Sequence, residues 1–574
     1  MSIDTIRHSL SHIMASAVQE LYPGVKFGIG PAIENGFYYD FDLPEPLTSE
    51  VLSKIEEKMK KLIKQNIRFK KKMVSKKEAK KIFKNQPYKL ELIEELSRRQ
   101  ATIYQSGEFF DLCRGPHVKS TSEIPIDAFK LTRIAGAYWR GDEKNPMLTR
   151  IYGMAFGTKK ELENYFKLQE EAEKRDHRML GQKLDLFSID EEVGPGLVLW
   201  HPKGATLRQI IEDFWTKEHL NNGYEMVRTP HLGRIKLWQT SGHTDFYREN
   251  MFGPMEVEGD KYLIKPMNCP FHIKIYKTQT RSYRDLPLRW AELGTVYRYE
   301  RSGVLYGLVR VRGFTQDDAH IICMPEQLTN EVMRTVKFGI RLLKNFGLKE
   351  FNIYLATQPK KDFVGSPKNW KKAENSLKYA LKKMKLKYRV DPGGGAFYGP
   401  KIDIKIKDAV GREWQCTTVQ FDFNLPERFD LFYIDDKGRK QRPYMVHHTL
   451  LGAIERFVGV LLEHYAGALP LWLSPEQIWI IPVGSRHEKY ANEVARQLTI
   501  YNLRTKMKDE NETVSKKIRD GELQKIPYLL VVGDKESKNK SVRVRKRGKG
   551  DIGEIKLTKF IKEIQKELQL KKFQ

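Results

Sequence analysis

Cysteine is scarce in this chain, with four in 574 residues, at positions 113, 269, 323 and 416. Scattered thiols cannot form the paired framework of a small secreted domain, and their scarcity fits a reducing compartment. Long apolar runs are absent. No stretch of about 18 apolar residues occurs, so no membrane-crossing helix is expected. The start, MSIDTIRHSL, carries no apolar signal segment, and a cytoplasmic protein is the expectation. Internal repeats and low-complexity linkers are also missing, which excludes repeat architectures and long disordered tracts. Acidic residues fall short of basic ones, 73 Asp and Glu against 101 Lys and Arg, for a net charge of +28. Such an excess fits a polyanionic partner, most simply nucleic acid. A lysine-rich solvated surface explains part of it, as in KKKMVSKKEAKKIFK (70–84).

What is present is a large globular chain, 40% hydrophobic and 30% charged. Its length implies about three or four domains. Residues 1–158 mix helices with short strands. The charged stretch 159–182 reads as a helical connector. Residues 183–470 are rich in aromatics, glycines and alternating strands. Residues 475–574 alternate strand and helix: IWIIPVG (478–484) and YLLVVG (528–533) read as buried strands, HEKYANEVARQL (487–498) and LTKFIKEIQKELQL (557–570) as helices. That order predicts a small α/β domain on a parallel sheet. Its basic hairpin SVRVRKRGKG (541–550) carries much of its charge, and the domain holds 24 Lys and Arg against 14 Asp and Glu.

The chemistry concentrates in the third segment. In KPMNCPFHI (265–273) a thiol, Cys269, sits between Pro266 and Pro270. In GLVRVRGFTQDDAHIIC (307–323), Gln316, Asp318 and His320 share one face of an extended strand. Apolar residues on both sides make that strand central, so its polar face lines a site. Upstream, RWAELGTVYRYERSG (289–303) carries Arg298 and Glu300, and the return strand carries Arg310. Two arginines converging from adjacent strands suit a phosphate ligand; the other reading is an Arg–Glu ladder that only stabilises a sheet. In MVHHTLLGAIERFVGVLLEHYAG (445–467) a strand ends near His447, and Gly452, Arg456 and Gly459 are spaced for one helical face.

Together these pieces resemble the three signature motifs of class II aminoacyl-tRNA synthetases. Motif 1 ends at Pro230, motif 2 spans 289–314, and motif 3 is GAIERF (452–457). KPMNCPFH, RVRGFTQDDAH, GGGAFYGPKID (393–403), WQCTTVQFDF (414–423) and VHHTLLGAIERF resemble blocks of the threonyl-tRNA synthetase family, over nearly the whole chain. The form resembled is a bacterial one without the extra N-terminal domain. The resemblance implies a multidomain α/β protein: an α+β editing domain, a catalytic domain on the class II antiparallel sheet with flanking helices, and a C-terminal α/β anticodon-binding domain. It implies ATP-dependent activation of L-threonine, transfer to tRNA(Thr), Mg2+ accompanying ATP, and a homodimer built through motif 1.

The same resemblance supplies residue roles. One catalytic Zn2+ per subunit falls to Cys269, His320 and His447, three ligands that leave a tetrahedral position open. Arg298 falls on the α-phosphate, Arg310 and Arg456 on the outer phosphates, Glu300 on the adenine side and Phe314 against adenine. Gln415 and Thr418 match nucleotide-side positions. Met267, Gln316, Asp318, Tyr398, Lys401 and Gln420 match the threonine side, and His243 a histidine near the tRNA end; Arg298, Lys401, His243 and Arg456 are the catalytic set. Two departures stand out. Ala453 replaces the usual serine after the motif 3 glycine, and His448 follows His447 where the family usually has arginine.

Threonine and serine differ by one methyl, worth roughly 1–3 kcal/mol, too little for faithful decoding; aminoacyl-tRNA synthetases are the standard example of that arithmetic. A second, hydrolytic site is therefore expected. In the first helix His8 and His12 lie off the apolar stripe of Leu10, Ile13, Met14, Ala17, Val18 and Leu21, where they are either solvated or part of a site. DLCRGPHVKS (111–120) adds Cys113 and His117. HxxxH with CxxxH resembles the family's editing domain, whose pocket falls on His8, His12, Lys89, Asp111, Cys113 and His117. Glu536 and Arg543 match its anticodon-reading positions, with Arg545, Lys546, Arg547 and Lys549 as phosphate contacts or a solvated turn. A non-catalytic RNA-binding paralogue lacks motif arginines or metal ligands that are present here, and a prolyl or seryl enzyme does not fit the Cys269–His320–His447 set.

Overall fold

The computed structural model describes residues 2–570 except Pro46, Ser49, Arg98, Ala409 and Val410; the last four residues of the expected C-terminal domain lie outside the described residues. The chain divides into two compact units, Met1–Glu170 and Glu171–Gln574.

The first unit is built on the helix Ile3–Leu21, capped by Ser2, whose hydroxyl accepts from the Thr5 N–H. An isolated helix of this length is marginal in water. Burial of Leu10, Ile13, Met14 and Val18, at about 1.5–3 kcal/mol each, decides its stability. These side chains share a core with Phe37, Tyr39 and Phe41 from the strand Gly36–Asp42 and with Ile55 and Met59 from the helix Val51–Lys64. Gly36–Asp42 belongs to an antiparallel sheet with Lys26–Phe27, Met147–Ala155 and Phe129–Tyr138. A second antiparallel sheet joins Phe69–Ser75, Gln100–Ser106 and Phe109–Leu112. The face of the first helix that carries His8 and His12 is covered as well: His12 is buried, so the solvated reading of the pair fails.

The expected connector is two helices, Lys159–Lys174 and His177–Lys183. The break falls at Asp176, whose carboxylate accepts from the Arg178 N–H and starts the second helix.

The second unit centres on an eight-stranded sheet. Its order is Glu225–Met226, Leu288–Tyr297, Gly313–Cys323, Tyr444–Thr449, Glu413–Asp422, Lys401–Lys407, Phe351–Ala356 and Arg389–Asp391. Six central strands pair antiparallel, and the two edge strands pair parallel to their neighbours. The helices Pro202–Asn221, Leu328–Asn345 and Ile454–His464 contribute Trp215, Val336 and Phe457 to its core. With that face sealed, polar residues on the other face of the middle strands are left to line a cleft.

Residues 478–570 form the smaller α/β body. Ile478–Pro482 is buried along its whole length and pairs parallel with Thr505–Met507 and Tyr528–Val532. The parallel-sheet expectation needs correction beyond those three strands. Ser541–Lys546 and Gly550–Lys556 form an antiparallel hairpin that completes a mixed sheet, because a short turn can only return the chain antiparallel. Arg547 is not a free phosphate contact: half-buried, it donates to the carbonyls of Ala468 (3.1 Å) and Leu469 (2.5 Å), and Lys546 pairs with Glu567 at 2.8 Å.

Candidate active sites

A cavity of about 240 Å³ opens over the middle of the eight-stranded sheet. Gln316, Asp318 and His320 project into it from one face of Gly313–Cys323, as their alternation predicts. His447 stands directly opposite His320 on the next strand, with ring centroids 4.6 Å apart. Cys269 enters from the first residue of the helix Cys269–Tyr276. The three side chains are buried, and one donor atom from each lies within 4.8 Å of the others.

Their surroundings orient the rings. His447 Nε2 meets Asp422 Oδ2 at 2.8 Å, and His320 Nδ1 meets His272 Nδ1 at 2.8 Å. His320 Nε2 is buried without a hydrogen-bond partner. Burial, reinforced by Asp318 and Asp422, pushes the Cys269 thiol well up, and burial lowers His320. A divalent cation would offset the cost of the buried thiolate and would take the imidazole in the neutral form that burial already favours. A thiolate and two imidazoles, each imidazole held from behind, form the donor set of an open zinc site. The residues fit that ion.

Toward the other end the cavity is lined by Arg298, Glu300, Arg310, Phe314, Gln415, Thr418 and Arg456. Here the strand reading needs correction. The strands end at Tyr297 and begin at Gly313, so Arg298, Glu300 and Arg310 lie on the loop between them, and the ladder reading fails for lack of a ladder. Arg310 reaches Glu300 at 3.0 Å in a partly exposed pair. Such pairs are worth about 0–1 kcal/mol, so a phosphate can take the arginine. The Arg298 guanidinium lies 5.0 Å from the centre of the Phe314 ring. Gly452 is not on the helical face expected: it precedes the helix with φ +82, a conformation that favours glycine.

Two residues of the catalytic set stand outside the cavity lining. Lys401 is held by Asp403 at 2.8 Å, and the same carboxylate accepts from Gln415 and Thr418. His243 is buried, its Nδ1 2.7 Å from Ser241 Oγ and its ring edge-on to Phe397. Burial brings its pKa down to about 3. Phe397 in turn packs on Tyr398, which lines the cavity with Met267 and Gln420.

The first unit holds another cluster. One donor atom each from His8, His12, Cys113 and His117 lies within 4.8 Å of the rest. Ser9 Oγ donates to the Thr5 carbonyl, so it accepts from His117 Nδ1 (3.2 Å), which leaves His117 Nε2 to accept from the Cys113 thiol at 3.3 Å. His8 Nε2 is 3.2 Å from the same sulfur. Beside them a buried ion pair joins Lys89 to Asp111, whose other oxygen accepts from Tyr39 (2.6 Å) and faces His12 Nε2 at 3.4 Å. Burial lowers His8, His12 and His117 and raises the Cys113 thiol to about 12.

Comparison with known proteins gives the family. Residues 254–465 match the tRNA synthetase class II core domain (G, H, P, S and T), 477–567 the anticodon binding domain, and 101–152 the threonyl and alanyl tRNA synthetase second additional domain. A threonine–tRNA ligase of Sulfurihydrogenibium sp. (strain YO3AOP1) is 54% identical over 570 residues, covering 98% of this chain and 88% of the relative. That of Aquifex aeolicus (strain VF5) is 51% identical over 576 residues, covering 99% and 90%. The chain belongs to the threonine–tRNA ligase family. Among solved structures, the RNA binding domain of threonyl-tRNA synthetase from Cryptosporidium parvum Iowa II superposes with a TM-score of 0.66 at 41% identity, over 68% of this chain and 98% of that one.

Beside the family's motif residues the site depends on buried groups that sequence reasoning missed. Asp317 faces away from Asp318 and accepts from the amides of Leu450, Leu451 and Gly452 and from the Trp215 indole, fixing the turn before motif 3. Burial raises it to about 8. Glu455 accepts from the Thr315 amide (2.9 Å) and Arg208 (3.0 Å). His272 hands its second nitrogen to Glu292 at 3.1 Å, and Glu292 accepts from Thr229 at the end of motif 1. Only the alternation of the adjacent pair Asp317 and Asp318 signalled any of these. His448 points away from the Cys269–His320–His447 group, to Tyr224 OH at 2.9 Å.

In the family's third functional region, Arg543 is exposed and paired with Asp551 at 2.8 Å. Glu536 is buried, and one of its oxygens accepts from the Gly533 amide at 3.0 Å, closing the first turn of the helix Asp534–Asn539.

Proposed function

We propose that this chain activates L-threonine with ATP and transfers it to tRNA(Thr), and that its first domain hydrolyses seryl-tRNA. One observation carries the reading: a buried Cys–His–His donor set and Asp318 occupy one end of a single cavity whose other end holds Arg298, Arg310 and Arg456. An amino acid and a nucleoside triphosphate laid along that cavity meet at the α-phosphate.

Cys269, His320 and His447 would hold the zinc, which when bound would supply Lewis-acid binding of the amino acid's amino and hydroxyl groups. Asp318, fixed by Asn268 at 3.0 Å, and Gln316 face the same end. The threonine carboxylate attacks the α-phosphorus, the bond to the bridging oxygen breaks, and diphosphate leaves with its Mg2+. Arg298 stabilises the charge developing on the α-phosphate, while Arg310 and Arg456 hold the leaving group. Phe314 offers an adenine a ring face, and Gln415 and Thr418 line the same cavity. A terminal ribose hydroxyl of the tRNA then attacks the carbonyl carbon, and AMP leaves.

Buried polar groups left unpaired reject valine strongly, whereas serine loses only one methyl. ATP–pyrophosphate exchange across the amino acids is expected to be strongest with threonine, measurable with serine and near background with valine. Preference for any other amino acid overturns the reading. The enzyme is expected to work in the cytoplasm as a two-fold homodimer joined through motif 1. Light scattering at micromolar concentration tests this, and a stable, fully active monomer would refute it.

Anticodon reading falls to Arg543, since a guanidinium donates in pairs to guanine. Arg543→Ala is expected to cost about 1–3 kcal/mol and to relax discrimination at one anticodon base. Charging kinetics on parent and anticodon-mutant tRNAs decide this; an unchanged ratio would remove Arg543 from the role.

A further inference from the structure

His177, at the start of the second connector helix, is fully buried and belongs to no motif discussed above. Both ring nitrogens are committed. The Leu308 N–H donates to Nε2 at 2.9 Å, so Nδ1 carries the proton and donates to Glu463 Oε1 at 2.7 Å. With Asp176 these groups come close enough to hold an ion. Their atoms are already taken, because Asp176 bonds Arg178 and Tyr306, and Glu463 pairs with Arg412. The cluster is therefore a joint between elements.

The joint holds the motif 2 loop. Leu308 is fixed through its amide by His177, and Val309 through its carbonyl by Arg456 Nε at 3.0 Å. The next residue is Arg310. Tyr306 and Arg310 close the loop by exchanging two backbone hydrogen bonds, and Tyr306 OH donates to Asp176 at 2.9 Å. Two glycines allow the approach. Gly307 has φ +46, and a Cβ there would lie 2.1 Å from His177 Nε2. A Cβ on Gly459 would lie 3.2 Å from Val309 Cγ1 and 3.5 Å from His177 Cδ2. Glu463 stands in the last turn of the helix that carries Arg456, so one imidazole ties the loop of Arg310 to the helix of Arg456.

We propose that His177 is a positioning residue for ATP: it sets the spacing of Arg310 and Arg456 by bridging the Leu308 amide to Glu463. The proposal rests on reading those arginines as phosphate ligands. The test is ATP–pyrophosphate exchange with each substrate varied in turn, on the full chain with its zinc content measured. His177→Ala leaves a buried amide without its acceptor and is expected to raise the KM for ATP about tenfold or more. The KM for threonine should stay within about twofold and zinc content should not change, since neither substrate group touches the joint. Gly307→Ala drives the loop off the ring by a different route and is expected to give the same split. Glu463→Gln keeps an acceptor for Nδ1–H and should lose about fivefold less than Glu463→Ala. Arg310→Ala separates the two readings. If it leaves the KM for ATP unchanged, the phosphate assignment is wrong. If it raises that KM while folded His177→Ala and Gly307→Ala stay within twofold of the parent, the positioning role is refuted. Equal rises in both KM values refute it too. Should His177→Ala not fold, Gly307→Ala decides alone.

Discussion

Cys269→Ser is expected to empty the catalytic domain of zinc and to reduce threonine-dependent exchange by about a hundredfold or more, while His448→Gln keeps the metal. The two variants separate ligation from proximity. Cys269 brings its sulfur within 4.8 Å of nitrogens from His320 and His447. His448 is adjacent in sequence, but strand alternation turns it toward Tyr224 and His219. Serine is nearly isosteric, so lost packing is minor; what is lost is a soft anionic ligand. Metal analysis supplies a readout independent of activity: about one zinc per chain in the parent, and a small fraction of that in Cys269→Ser. Asp422→Asn is expected to weaken zinc binding by about 10–100-fold, because the Nε2–H of His447 loses a charged acceptor. A metal-free parent with full threonine-dependent exchange would refute the zinc assignment.

The cleft was legible in sequence where a strand carried the information. Gln316, Asp318 and His320 are two residues apart, and a period of two fixes their common face whatever the rest of the chain does. Prediction failed where the backbone leaves that period. The alternation places Arg298 and Arg310 on strands, yet the ladder stops at Tyr297 and Gly313 and the arginines ride a loop anchored by Arg456 and His177. The spacing places Gly452 on a helix face, but it sits in the turn that Asp317 holds by three amides. Both misses share one cause. Buried carboxylates and imidazoles satisfying backbone groups far away in sequence leave no periodic trace. The first helix failed in the opposite way. Its apolar stripe was read correctly, but periodicity cannot say whether the polar face meets water or a second layer. Here Phe69, Phe109 and the segment of Cys113 and His117 cover it: Phe69 stacks on His117 at 5.0 Å, Phe109 stands edge-on to His12 at 6.0 Å, and Cys113 Sγ lies 3.2 Å from His8 Nε2.

Cys113→Ala and His12→Ala are expected to slow seryl-tRNA hydrolysis by about 10²-fold or more while leaving threonine activation within about twofold. The two sites lie in different compact units with separate cores, so a substitution in one need not disturb the other. The state of the pocket constrains the chemistry. Burial keeps His8, His12 and His117 neutral near pH 7 and holds the Cys113 thiol protonated, with a pKa raised to about 12. A protonated thiol is a poor nucleophile. Hydrolysis is therefore expected to proceed by water, with a neutral imidazole taking its proton and the Lys89–Asp111–Tyr39 group holding His12 in place. His12 Nδ1, buried without a partner, is the available acceptor. Cys113→Ser preserves a donor to His117 and is expected to retain most of the hydrolysis, whereas a covalent thiol mechanism loses it entirely. Lys89→Ala is the wrong probe: it strands Asp111 as an unpaired buried charge and costs about 3–5 kcal/mol of stability. Deacylation of seryl-tRNA, followed beside ATP–pyrophosphate exchange on the same preparations, settles the assignment. Unchanged deacylation in both Cys113→Ala and His12→Ala would move the editing site elsewhere, and loss in Cys113→Ser equal to that in Cys113→Ala would restore the thiol as nucleophile.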